Sequence, residues 1–215
     1  MKYVISILIL SGICSLTHSQ EKKMDAPFIK GTFQLPTPLA NYAFKTHMSG
    51  VSDLTFSFNL AFTKSLHAGV YVGHEYFSFD DMSIPETTNA SMQIAGAGVT
   101  IGYTLSPENK FSVDYSIDAG YCAMLVSSET CKIKTEKKFH QKNGYNFKPS
   151  VSLEIKSSET LSFGIVFSYQ IMLAHFGPDN LCLNSFASRV PLDYVGPSHI
   201  FAIGFGFKTI LPTRH

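Results

Sequence analysis

Three sets of side chains in this sequence have the chemistry for proton transfer, nucleophilic attack or cross-linking. The first is Asp53, His67, Tyr71, Glu75, Asp114, Asp118, Lys148 and Glu154, with Lys156 and Lys208. Each sits on the polar phase of a segment in which apolar and polar residues alternate. Gathered on an enclosed face, they read either as a proton path or small polar site, or as an ion-paired network filling an interior, because buried charge must be paired. The second is His47-Met48-Ser49. On a strand, residues two apart share a face, which puts an imidazole beside a hydroxyl. This triplet adjoins Gly50 in a stretch that reads as loop, and spacing supplies no acid partner. The third is the cysteines Cys122, Cys131 and Cys182. The glycines of Gly96 to Gly102 alternate along a strand with no helix after them, so they form no phosphate loop. The histidines show no close ligand spacing, and neither a metal nor a cofactor is expected.

The elements that must position these residues are strands. In Val51 to Phe62, Leu54, Phe56, Phe58, Leu60 and Phe62 share one face, opposite Asp53, Thr55, Ser57, Asn59 and Ala61. Period two excludes a helix. Leu66 to Phe79, Ser91 to Leu105, Lys110 to Val126, Tyr145 to Lys156, Leu161 to Leu173 and Ser198 to Ile210 repeat the pattern. Connections alternate in length. Short ones lie at 63–65, 106–109 and 157–159, and long ones at 80–90, 127–144 and 177–197. This alternation requires a further strand before Val51, and Phe28 to Leu35, ending at Pro36 and Pro38, supplies it. Asn41 to Gly50 then becomes the first long loop. The expected fold is all-β: an eight-stranded antiparallel up-and-down transmembrane barrel over 28–210.

Alternation alone fits a soluble barrel equally well. Three features favour a membrane. The polar faces carry Gly and Ser more than Lys and Glu, which suits a narrow barrel interior better than a wet exterior. Charged residues are only 15% of the chain, against about 25% in ordinary soluble domains. Five outward residues occupy roughly 30 Å of strand, or about 22 Å of depth at a 45° tilt, close to the ~25 Å apolar band of such barrels. The near balance of 17 Lys+Arg against 16 Asp+Glu excludes a strongly basic nucleic-acid binder.

The N-terminus reads as an export signal over 1–19. Lys2 precedes the apolar run Val4 to Cys14, and Thr17 and Ser19 supply small residues at the cleavage site. Residues 20–27 would be a short periplasmic segment and 211–215 a tail. In an oxidising compartment a Cys131–Cys182 bridge between the two longest loops is expected, with Cys122 a buried thiol; three free thiols is the alternative.

A signal segment ending before Gln20, eight alternating strands, long loops on one rim and the stretch QLPTPLANYAF resemble the small outer-membrane β-barrel proteins of the Bacteroidetes type. That resemblance implies an integral protein of a Gram-negative outer membrane, in contact with its lipid. It carries no motif that fixes an activity. The favoured expectation is a non-enzymatic structural, adhesive or accessory subunit with a filled lumen, meeting another envelope protein through its long loops. Leu181, Phe186 and Tyr194 make one of those loops unusually apolar, and lysines 132, 134, 137, 138 and 142 mark another. A lipid-modifying enzyme, a narrow pore and a barrel for a small hydrophobic ligand are the alternatives.

Overall fold

The computed structural model describes residues 26–79, 90–107, 109–128, 139–174, 176 and 196–211. The expected signal segment, most of the C-terminal tail, and Cys131, Cys182, Leu181, Phe186 and Tyr194 lie outside the described residues. The strands are β1 (Phe28–Ala40), β2 (Met48–Ala61), β3 (Leu66–Phe79), β4 (Ala90–Leu105), β5 (Phe111–Ser128), β6 (Phe139–Lys156), β7 (Leu161–Met172) and β8 (Ser198–Ile210), with one short helix, α1 (Tyr42–His47), between β1 and β2. Each strand pairs with the next, and β8 returns to β1 with Phe28 opposite Ile210, closing an antiparallel barrel of eight strands. The segments flanking β1 and β8 meet there, where the Leu211 amide donates to the Pro27 carbonyl. Closure leaves no unpaired sheet edge.

The alternating residues face as their period requires. Phe56, Ile117 and Phe205 are 48%, 45% and 71% exposed, whereas Asp53, Asp114 and Ser152 are each 1% exposed. The exterior is therefore apolar and the lumen at this level polar, the reverse of a soluble barrel. Tyr115 and Phe111 stand on the outside of β5 near the short turns, and Tyr121 stands near the other rim with its ring edge-on to Tyr145. From Phe111 to Tyr121 the chain rises roughly 33 Å, or about 25 Å of depth at a 40° tilt, the height of an apolar band between aromatic girdles.

Three expectations about the elements need correction. β1 does not stop at Pro36 and Pro38 but runs on to Ala40. Its pairing with β2 ends at Gln34–Asp53, whereas pairing with β8 continues through Pro38–Ile200. A β-carbon at Gly50 would strike the Pro36 carbonyl, so that carbonyl faces β2. The Pro36 nitrogen shares that side, and its missing N–H falls where there is no ladder to break. Second, Asn41–Gly50 is not a plain loop. It holds α1, and β2 already begins at Met48. Third, β6 begins at Phe139 rather than Tyr145, pairing with β5 up to Ser127, so Lys142 lies on an exposed strand face. Above the apolar band both faces meet water, so the period-two contrast fades while the backbone ladder continues. β6 also contains Pro149, within the stretch read as strand from the sequence. The β6–β7 ladder breaks over Lys148 and Pro149, between the pairs Phe147–Ile171 and Ser150–Ser168, where an N–H is missing.

Candidate functional site

The lumen is built in two storeys. The lower storey, toward the short turns, is polar. Lys30 on β1 donates to Asp114 on β5 at 2.6 Å and lies 4.0 Å from Glu154 on β6. The Thr104 hydroxyl donates to the other Asp114 oxygen at 2.7 Å, and the His67 ring stands 3.7 Å from it. His67 fits there because β4 offers Gly102 beneath it; a β-carbon at that position would strike the imidazole. Lys208 on β8 reaches Glu154 at 4.0 Å. One level higher, Lys148 on β6 donates to Asp53 on β2 at 2.7 Å and to Thr55 at 3.3 Å. Asp118 lies directly across from Lys148 in the β5–β6 register, and Glu75 across from Asp53 in the β2–β3 register. Tyr71 donates to Asn146 at 2.9 Å. Gln34 donates to the carbonyls of Val166 and Ala202 and accepts from Ser168. Such pairing is what lets charges stay inside a narrow barrel. An internal space at this level measures about 20 Å³, bordered by Asp118, Lys148 and Asn59, enough for about one water.

The upper storey, toward the long loops, is apolar. Phe44 of α1 packs edge-on against Phe77 of β3 and tilted against Phe176, inside a fully buried cluster with Met92, Ile94, Met124, Val126, Met172 and Ile200. Asn41 sets this plug. Its positive φ turns the chain inward, a conformation Asn tolerates better than most residues. Its side chain accepts from the Phe44 amide at 3.2 Å and donates to the carbonyls of Phe176 and Gly196 at 2.8 and 3.1 Å. The helix and the flanks of the β7–β8 connection are thereby tied across the mouth.

The structure thus places Asp53, His67, Asp114, Lys148 and Glu154 in two interlocking ion-pair groups, with Tyr71, Glu75 and Asp118 beside the upper one. Lys156 and Lys208 stand at the lower rim. Sequence reasoning did not single out Lys30, the partner of Asp114, although the polar phase held five acids and needed more cations. It also did not find the apolar storey. His47 and Ser49 are not arranged as a base and nucleophile on one strand: His47 ends α1 with its ring stacked on Phe79, and Ser49 is exposed on β2. Cys122 is fully buried under the plug, with no disulfide among the described residues. Its peptide is expected to stay unlabelled by maleimide until the barrel is unfolded. Labelling in the folded state would mean that the plug opens. No group of three or more metal-binding side chains occurs among the described residues.

A closed barrel, apolar outside and filled inside, defines a small barrel of the outer-membrane type. The chain belongs to the family described as protein of unknown function (DUF3575), whose model matches residues 35–174. No curated protein matches it by sequence. In fold it is similar to Neisserial surface protein A, with a TM-score of 0.52 at 7% identity, covering 88% of this chain and 100% of that one. It is also similar to OprG of Pseudomonas aeruginosa, with a TM-score of 0.54 at 12% identity, covering 87% and 98%. A major outer membrane protein of Thermus thermophilus aligns with a TM-score of 0.50 at 11% identity, covering 85% and 99%. At these identities the likeness concerns the fold.

Proposed function

We propose that the chain is an integral outer-membrane protein of a Gram-negative cell, of the Bacteroidetes type, which acts as a structural, adhesive or accessory subunit through its long loops. The observation that carries this reading is the doubly closed lumen: an ion-paired lower storey and a Phe44-centred plug above it. A barrel so filled offers no continuous water column for conduction among the described residues, and its open space is confined to the short-turn rim, which leaves the loops as the main working surface. The apolar belt supports the membrane placement. In this reading both termini are periplasmic, and Cys131 and Cys182 are paired so that Leu181, Phe186 and Tyr194 are held in one arrangement for a protein partner.

Planar-bilayer recording of the purified protein is the direct test. No unitary conductance is expected, and steady channel steps would overturn the filled-lumen reading in favour of a pore. On intact cells, added protease should leave the turn at 106–109 uncut; cleavage there would invert the orientation. Non-reducing peptide mapping of envelope protein should return a Cys131–Cys182 link. A Cys122 link, or three alkylatable thiols, would remove the bridge.

A further inference from the structure

The lumen is not sealed at both ends alike. At the short-turn rim it opens into a cavity of about 250 Å³, walled by the Phe28 ring, the β2–β3 and β4–β5 turns and the ends of β6 and β8. Among the described residues, the charged ones lining it are Lys64, Lys156, Lys208 and Glu154, with His67 at the back. Glu154 is already shared between Lys30 and Lys208, each 4.0 Å away. Lys208 is held in place by a second contact, its ammonium 4.3 Å from the centre of the Phe28 ring. Lys156, half-buried, makes no ion pair with any described residue. Among the described residues, Lys156 therefore adds positive charge without an acidic partner to a concave, part-apolar space, where low-dielectric walls concentrate the field. Hydroxyls of Thr63 and Ser112 add neutral donors on the same walls.

We propose that this mouth is a binding site for an oxyanion of the phosphate class, held between Lys156 and Lys208. Two compact ammonium charges on flexible stems suit a phosphate as point charges, with no need of a planar guanidinium fork. The volume falls below the ~300–1,000 Å³ of sites that enclose a whole small molecule. The ligand thus inserts one charged group and leaves the rest outside. That group is either a free phosphate ester or the head of a lipid lying at the same rim.

The test uses the full mature protein, isotope-labelled for amide NMR, in phosphate-free dodecyl maltoside. Inorganic phosphate is titrated in one arm and phosphatidylglycerol in the other. Saturable shifts are expected at residues 63–67, 156 and 208, and K156Q/K208Q should weaken apparent affinity at least tenfold. K142Q, an exposed lysine on β6 far from this mouth, should leave it unchanged. Saturation by inorganic phosphate assigns the site to a soluble ligand, and saturation by the lipid alone assigns it to a headgroup; either supports an anion site. No saturable response in either arm, or a response that survives K156Q/K208Q, overturns it. If the double variant does not fold, judged by its heat-modifiable migration on gels, K156Q alone carries the test, because Lys156 has no ion pair to lose. A barrel that conducts in bilayers but still binds phosphate here would sink the filled-lumen reading and leave this one intact.

Discussion

Asp114→Ala is expected to destabilise the barrel by about 3–5 kcal/mol, because it breaks a buried ion pair from one side only. Asp114 is 1% exposed and receives three neighbours: the Lys30 ammonium at 2.6 Å, the Thr104 hydroxyl at 2.7 Å and the His67 ring at 3.7 Å. Without it, Lys30 retains only Glu154 at 4.0 Å, a carboxylate it must share with Lys208. The Lys30→Met/Asp114→Leu double variant should recover most of the loss, since replacing a buried pair by apolar groups of similar volume is often neutral or stabilising. Urea unfolding in detergent, followed by loss of the fast-migrating folded band, measures both. A single-variant cost under about 1 kcal/mol would show that water screens the lower storey. The narrowness of the lumen argues against that, since its larger opening stops at the rim.

Strand positions were legible in the sequence wherever one face meets lipid and the other a crowded interior, because there the outward phase is apolar throughout and the inward phase mostly small or polar. β2 and β7 show this best. Leu54 to Phe62 and Leu161 to Leu173 point outward at every second residue, and the structure exposes or half-exposes each of them. The signal failed where that contrast is absent. At the top of β6, Gln141, Lys142 and Asn143 are all exposed, and three consecutive polar residues read as loop although the ladder to β5 holds them. At the top of β3, β4 and β5, Phe77, Met92, Ile94, Met124 and Val126 occupy the inward phase. Apolar residues then stand on both faces, and nothing local says which of them is lumen. The plug requires α1, and a six-residue helix behind two prolines has no periodicity to display. Lys30 was missed for a different reason. Its strand follows from the turn lengths rather than from its own alternation, which leaves its polar phase unmarked. Which charge meets which also lay beyond the sequence: Lys30 and Asp114 are 84 residues apart, and Lys148 and Asp53 are 95 apart. Only closure of the barrel brings them together.

The exterior of β5 provides the second large effect, which separates a lipid-facing surface from a merely apolar one. Ile117→Lys is expected to cost about 2–4 kcal/mol and to abolish assembly into membranes, because it sets a charge near the middle of the band. Phe111→Lys on the same face should cost only about 0–1 kcal/mol. The two sites differ by six residues, roughly 20 Å of strand or about 15 Å of depth at a 40° tilt, more than half of the ~25 Å band. Phe111 therefore sits at the interface, where a lysine can reach water and headgroups. Both side chains are exposed, 66% at Phe111 and 45% at Ile117, so loss of packing cannot produce that order; removing Phe111 takes away the larger side chain and by packing alone would be the worse change. Ile117→Ala, which deletes the same contacts without adding charge, should stay within about 1 kcal/mol of the parent. Folding yields into lipid vesicles, scored by the heat-modifiable band, report all three. Similar yields for Ile117→Lys and Phe111→Lys would mean that water, and not hydrocarbon, surrounds the waist of this barrel.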